Sequence, residues 1–260
     1  MVSLTGHVLP VLATIAVWFF ATGLIAWAAN APRRFFARSL LVAGLAGIGG
    51  IAAVIASVGM DSAAGAYLGF AGALTIWGWH ELAFLTGAVT GPRRAACPQE
   101  ARGIARFTVA SAAVIHHEIV LAATALMLLA LGWGQPNPIG AQVFVLLFGL
   151  RLLAKLNLFA GVPNASTDML PRHLGYFTSY FGPNRFTALL AASIASTIIL
   201  ASALGALAAQ AGQGAAAVGA SLLFAIAALG ALEHLFFALP LRDGALWGWA
   251  LPARKRGIEL

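Results

Sequence analysis

Charge is scarce in this chain and cysteine nearly absent. Asp, Glu, Lys and Arg make up 9% of its 260 residues, against 61% hydrophobic ones, a ratio that the wet surface of a domain this size does not tolerate. A soluble globular protein is therefore excluded, and an integral membrane protein is expected. The single cysteine, Cys97, excludes an internal disulfide and a CxxC redox or zinc motif; beside Arg93 and Arg94 in a loop, it reads as inert. No basic n-region precedes the first apolar run, which is also too long for a signal peptide, so it reads as a retained helix. Apolar and polar residues do not alternate in the runs, which disfavours a transmembrane barrel. The formal net charge of +7 is split among short loops, so membrane topology explains it better than nucleic acid, and no nucleic-acid partner is expected.

What the chain does have is continuous apolar runs of the length a bilayer crossing needs, about 20 residues each. Turn-rich breaks divide them into seven helices, over 8–29, 39–59, 64–87, 107–131, 140–159, 186–208 and 215–238. The predicted fold is all-α: one polytopic membrane domain over 1–260, with seven transmembrane helices and lipid as its surroundings. Its Lys and Arg fall into four groups: Arg33, Arg34, Arg38; Arg93, Arg94, Arg102, Arg106; Arg151, Lys155, Arg172, Arg185; and Arg242, Arg254, Lys255, Arg256. All lie on or toward one side. The positive-inside rule makes that side cytoplasmic, with the N-terminus outside and the C-terminus cytoplasmic.

Helix 2 carries Gly44, Ala46, Gly47, Gly49 and Gly50, small residues that let its backbone approach a neighbour closely. Between helices 5 and 6, Leu170, Leu174, Phe177 and Phe181 recur at helical spacing, which fits either a short interfacial helix or a capped loop with anchoring aromatics. Ala-Pro-Arg-Arg at 31–34, Gly-Pro-Arg-Arg at 91–94 and Gly-Pro-Asn-Arg at 182–185 read as helix punctuation with charged anchors.

Against this background the ionisable groups at membrane depth stand out, because such groups are costly and usually mark function. Three helices carry adjacent His and Glu: His80-Glu81, His117-Glu118 with His116 beside them, and Glu233-His234. A fourth carries Arg151 and Lys155, four apart and on one face, followed by Asn157. Glu81 and Glu118 each lie twelve residues from an anchoring arginine, Arg93 and Arg106, roughly 18 Å along their helices, and so at matching depth. Neighbours on a helix point about 100° apart, so one member of each pair is expected to face a common centre.

Three readings of this constellation compete. In the first, Glu81, Glu118 and Glu233 neutralise Arg151 and Lys155 in a network that fixes helix packing, with the histidines as hydrogen-bonding partners. In the second, Glu81, His117, Glu118, Glu233 and His234 supply ligands to a divalent metal, iron, zinc or manganese, although the Glu-x-x-His motif of bundle di-iron proteins is absent. In the third, His117 or His234 binds the metal of a tetrapyrrole as a neutral imidazole. Retinal binding is disfavoured, since Lys155 is the sole candidate lysine and Arg151 stands beside it.

The segments Trp77-Gly78-Trp79-His80-Glu81, Thr90-Gly91-Pro92-Arg93-Arg94, His117-Glu118, Arg151 to Phe159, Leu232-Glu233-His234 and Leu246-Trp247 resemble the PuhE-type photosynthetic complex assembly proteins of purple phototrophic bacteria. That resemblance covers essentially the whole chain and is most specific around Glu81 and Lys155. It implies a multi-pass protein of the bacterial inner membrane that assists assembly of reaction-centre and light-harvesting complexes or adjusts bacteriochlorophyll supply. Its implied partners are the subunits of those complexes, other assembly factors and pigment. Residues and resemblance select the same polar set: Glu81, His117, Glu118, Arg151, Lys155, Asn157, Glu233 and His234. The alternative function is a membrane-embedded His/carboxylate metalloenzyme, an oxidoreductase acting on a lipophilic pigment or quinone.

Overall fold

The computed structural model describes residues 2–241 and 243–251; the cations Arg242, Arg254, Lys255 and Arg256, expected on the basic side, lie outside them. Seven long helices follow one another: α1 (Leu9–Ala29), α2 (Phe36–Ser57), α3 (Ala63–Leu85), α4 (Gly103–Gly132), α5 (Ile139–Ala160), α6 (Ala188–Gln210) and α7 (Ala215–Ala238). A π-helical turn, Leu4–Val8, runs into α1, and 3-10 segments occupy Arg33–Phe35, Arg172–Tyr180 and Asp243–Trp247. The described residues contain no strand.

Local chemistry sets several boundaries. Ser62 caps α3 by accepting from the Gly65 amide, and Thr187 caps α6 by accepting from Leu190, each satisfying an amide that the first turn leaves free. Pro10 stands at the start of α1, where its missing N–H costs nothing.

Helices α3, α5 and α7 pack against one another at the centre, with α1, α2, α4 and α6 around them. The core between them holds Phe70, Trp77, Leu121, Phe144, Leu147 and Leu222, with the Trp77 and Phe144 rings edge to face at 5.5 Å. The outer helices turn large apolar side chains outward: Leu12, Phe20 and Leu24 on α1, Leu45 and Ile48 on α2, Ile119 and Leu126 on α4, Ile199 and Leu207 on α6. With six helices among the described residues long and apolar enough to cross a bilayer, this is a multi-pass membrane protein. The remaining long helix, α3, has 23 residues but dilutes its apolar ones with Tyr67, His80, Glu81 and four glycines. It is enclosed by other helices instead of lipid.

The glycines of α2 serve as expected, though not all of them. A Cβ at Gly50 would lie 2.7 Å from the Gly72 carbonyl oxygen, and one at Gly72 the same distance from the Gly50 oxygen; α2 and α3 therefore cross backbone to backbone. Gly47 seats Trp79, whereas Gly49 faces open space.

The 170–181 segment, for which the sequence left open a short interfacial helix or a capped loop, takes a third form. It is a 3-10 helix over Arg172–Tyr180, and its buried residues are Leu174, Phe177 and Tyr180. Their spacing of three is that of the 3-10 helix; Leu170 and Phe181 fall off the buried stripe. This stripe packs inward on Phe84 and Ala113 and closes the basic end of the bundle.

Candidate functional site

Arg151 and Lys155 of α5 each make an ion pair within the bundle. Arg151 Nη2 stands 3.3 Å from Glu81 Oε2 of α3, and Lys155 Nζ 2.5 Å from Glu118 Oε1 of α4. The side chains of Lys155 and Glu118 are 18% and 15% exposed, so most of their water is gone. At that burial an ion pair is held chiefly because separating it would strand a charge. Being four apart, Arg151 and Lys155 present one face of α5, which ties α3 and α4 to it one turn apart. Two cations of α5 thus face two carboxylates, one from α3 and one from α4.

Phe84 stands at the junction. Lys155 Nζ lies 5.3 Å from its ring centre, close enough for a cation–π attraction. The His117 ring packs on it at 4.7 Å and the Phe177 ring of the 3-10 segment at 5.4 Å. One aromatic side chain therefore touches the charged cluster, a buried imidazole and the closing segment. Tyr180 completes the closure: it accepts from Arg93 Nε at 2.8 Å, donates to the Ala95 carbonyl at 2.8 Å, and receives Arg106 Nη2 on its own carbonyl at 2.7 Å.

The turn over 90–93 does more than end a helix. The His117 amide donates to the Thr90 carbonyl at 2.9 Å, and the Ala112 carbonyl accepts from the Arg93 amide at 3.2 Å. The loop between α3 and α4 is thus joined to the α4 backbone beside Glu118. Gly91 makes this approach possible, since a Cβ there would lie 2.2 Å from the Ala112 oxygen.

The other expected residues are placed as follows. His116 is exposed on the outer face of α4, while His117 is buried. His80 and Glu81 are both buried, contrary to the expectation of one inward member per pair, because they use different neighbours. Thr124 gives its hydroxyl hydrogen to the Val120 carbonyl, so His80 Nε2 donates to Thr124 Oγ1, at 3.0 Å. Asn157 stands apart from the charges: its Nδ2 donates to the Leu153 carbonyl and to Ser193 Oγ at 2.8 Å, tying α5 to α6. His234 is fully buried and donates from Nδ1 to the Gly230 carbonyl at 2.7 Å, leaving Nε2 as a bare acceptor.

The metal set Glu81, His117, Glu118, Glu233 and His234 is not gathered as ligands: among the described residues no three His, Cys, Asp or Glu come close enough to hold an ion. Glu81 and Glu118 each give an oxygen to a cation instead. His117 and His234 do not fit an axial ligand of a tetrapyrrole in this arrangement either. They are 1% and 0% exposed, and a macrocycle needs a broad open face beside the coordinating nitrogen. Phe84 and Ser193 belong to the polar site or its closure without standing out in the sequence, whereas the sequence shows Phe177 only as part of an apolar stripe and Thr90 and Gly91 only as part of a helix-ending segment.

The family described as "Protein of unknown function (DUF3623)" matches residues 4–257. A protein of Rhodobacter capsulatus, described as "Uncharacterized 30.4 kDa protein in puhA 5'region", is 39% identical over 255 residues, which cover 96% of this chain and 93% of the relative. No solved structure matches.

Proposed function

The chain belongs to the DUF3623 family, and on that premise we propose that it is an assembly factor for photosynthetic reaction-centre and light-harvesting complexes in the bacterial inner membrane, of the PuhE type. The observation that carries this reading is its near full-length kinship with a protein of the puhA region, a photosynthesis gene cluster. The PuhE-like segments around Glu81 and Lys155 support the same reading.

In this role the polar cluster is architecture. The two ion pairs fix α3, α4 and α5 against one another, and Phe84 passes that arrangement to the closing segment over 172–180. A rigid basic end of this kind suits a protein that presents a surface to partner subunits. Any influence on bacteriochlorophyll supply then works through that surface, since His117 and His234 are enclosed.

Deleting the gene in a phototrophic host is expected to lower mature reaction-centre or light-harvesting absorption, with recovery on complementation. Unchanged complexes and pigment would overturn the assembly role. We further propose seven crossings with the basic end in the cytoplasm. In a Cys97→Ser background, cysteine at Ser62 is expected to react with an impermeant reagent from outside; native Cys97 is expected to react only after permeabilisation. The reverse pattern would invert the topology.

A further inference from the structure

The C-terminal segment builds a second site, away from the ion pairs. Trp247 donates its indole N–H to the Phe19 carbonyl at 2.8 Å and stacks on the Phe19 ring at 6.0 Å. Trp249 lies over Gly23, where a Cβ would stand 2.2 Å from its ring. A glycine on α1 thus makes the seat for an indole, and the following residues become a wall. Between that wall and the α1–α2 turn lies a groove of about 530 Å³, lined among others by Trp27, Asn30, Arg38, Ser39, Trp249 and Leu251.

The two ends of the groove differ in chemistry. Trp27 and Trp249 are 59% and 58% exposed and continue the apolar outer face that Phe20 and Leu24 begin. Indole rings at such a boundary favour the level of lipid headgroups. Arg38 and Ser39 bring a guanidinium and a hydroxyl at the start of α2, and Arg38 is the one ionisable side chain among the described residues that line the groove. Arg33 and Arg34 lie on the 3-10 turn that precedes α2. The volume falls within the range of small-molecule sites. A cation at one end, hydrogen-bonding groups beside it and aromatic walls continuous with the lipid-facing surface match a negatively charged headgroup on an acyl-chain body.

We propose that this groove binds one anionic phospholipid, its phosphate at Arg38 and Ser39 and its chains along Trp27, Trp249 and Leu251. The test is native mass spectrometry of the full chain in mild detergent, titrated separately with phosphatidylglycerol and with phosphatidylcholine of the same chains. One phosphatidylglycerol is expected to be retained about fivefold better than phosphatidylcholine, the size expected for one cation at an anionic surface. Arg38→Ala should abolish that preference, and Trp249→Ala should weaken retention of both lipids. Both side chains are exposed, so these variants are expected to fold, with an unchanged melting profile as the control. Gly23→Leu, which unseats Trp249, should repeat the effect of Trp249→Ala. Equal retention of the two lipids, or a preference that survives Arg38→Ala, would overturn the proposal. So would displacement of the bound lipid by millimolar inorganic phosphate, which would mark a phosphate site instead.

Discussion

Lys155 Nζ lies 2.5 Å from Glu118 Oε1 and 5.3 Å from the centre of the Phe84 ring, so a single ammonium joins α5 to α4 and to the aromatic contact that closes the bundle. Arg151, one turn away, makes the matching link to Glu81 on α3.

Removing one partner of the Lys155–Glu118 pair strands the other. Glu118→Ala or Lys155→Ala is expected to cost about 3–5 kcal/mol. The double variant should cost less than the sum, with a coupling of about 1–3 kcal/mol. Unfolding in detergent, followed as a double-mutant cycle, measures both. Additive losses would show that the two groups are solvated and independent.

Phe84→Ala removes a ring that packs on His117 and Phe177 at once. The expected cost is about 3–5 kcal/mol, with faster proteolysis or hydrogen exchange over 172–180, because that segment loses the ring on which it rests. Phe84→Leu keeps most of the volume and should lose clearly less. Exchange over 172–180 that matches the wild type in the alanine variant would detach the closing segment from this ring.

Gly91→Ala sets a Cβ against backbone atoms of α4, which cannot step aside as a flexible side chain would. A loss of about 1–3 kcal/mol is expected, with faster exchange of the His117 amide as the Thr90 carbonyl is pushed away. A protected His117 amide in this variant would mean that α4 holds the bond without the loop.

His173 supplies a pH dependence. Burial, and then the Arg33 cation, hold its imidazole pKa below the ordinary value. Its neutral form therefore favours the docked segment. That contribution is complete above the unfolded value of about 6.5 and is lost as the pH falls from there through the lowered folded value. Protease sensitivity of the 172–180 segment should rise on acidification over that window, and His173→Gln should flatten the response. An equally steep response in that variant would assign the effect to another group.

The sequence by itself determined the membrane class, the seven long helices within a few residues, and the polar groups that lie inside those helices. It did so because hydropathy and turn chemistry are local, and because buried charge must be compensated wherever it lies. It also marked Gly44, Ala46, Gly47, Gly49 and Gly50 as a packing set, since small side chains in a membrane helix let a neighbour come close; Gly44, Gly47 and Gly50 do meet α3, whereas Gly49 faces open space. Tertiary structure decided the rest: that Glu81 takes Arg151 and Glu118 takes Lys155, that His116 faces out while His117 rests on Phe84, and that Asn157 bonds to Ser193 instead of joining the charges. Periodicity gives the angle of a side chain about its own helix, but not the rotation of that helix against its neighbours. The 172–180 segment and the 90–93 loop are held by contacts far away in the chain, Phe84 and Ala113 for one and the α4 backbone for the other, so no local pattern could show where they dock.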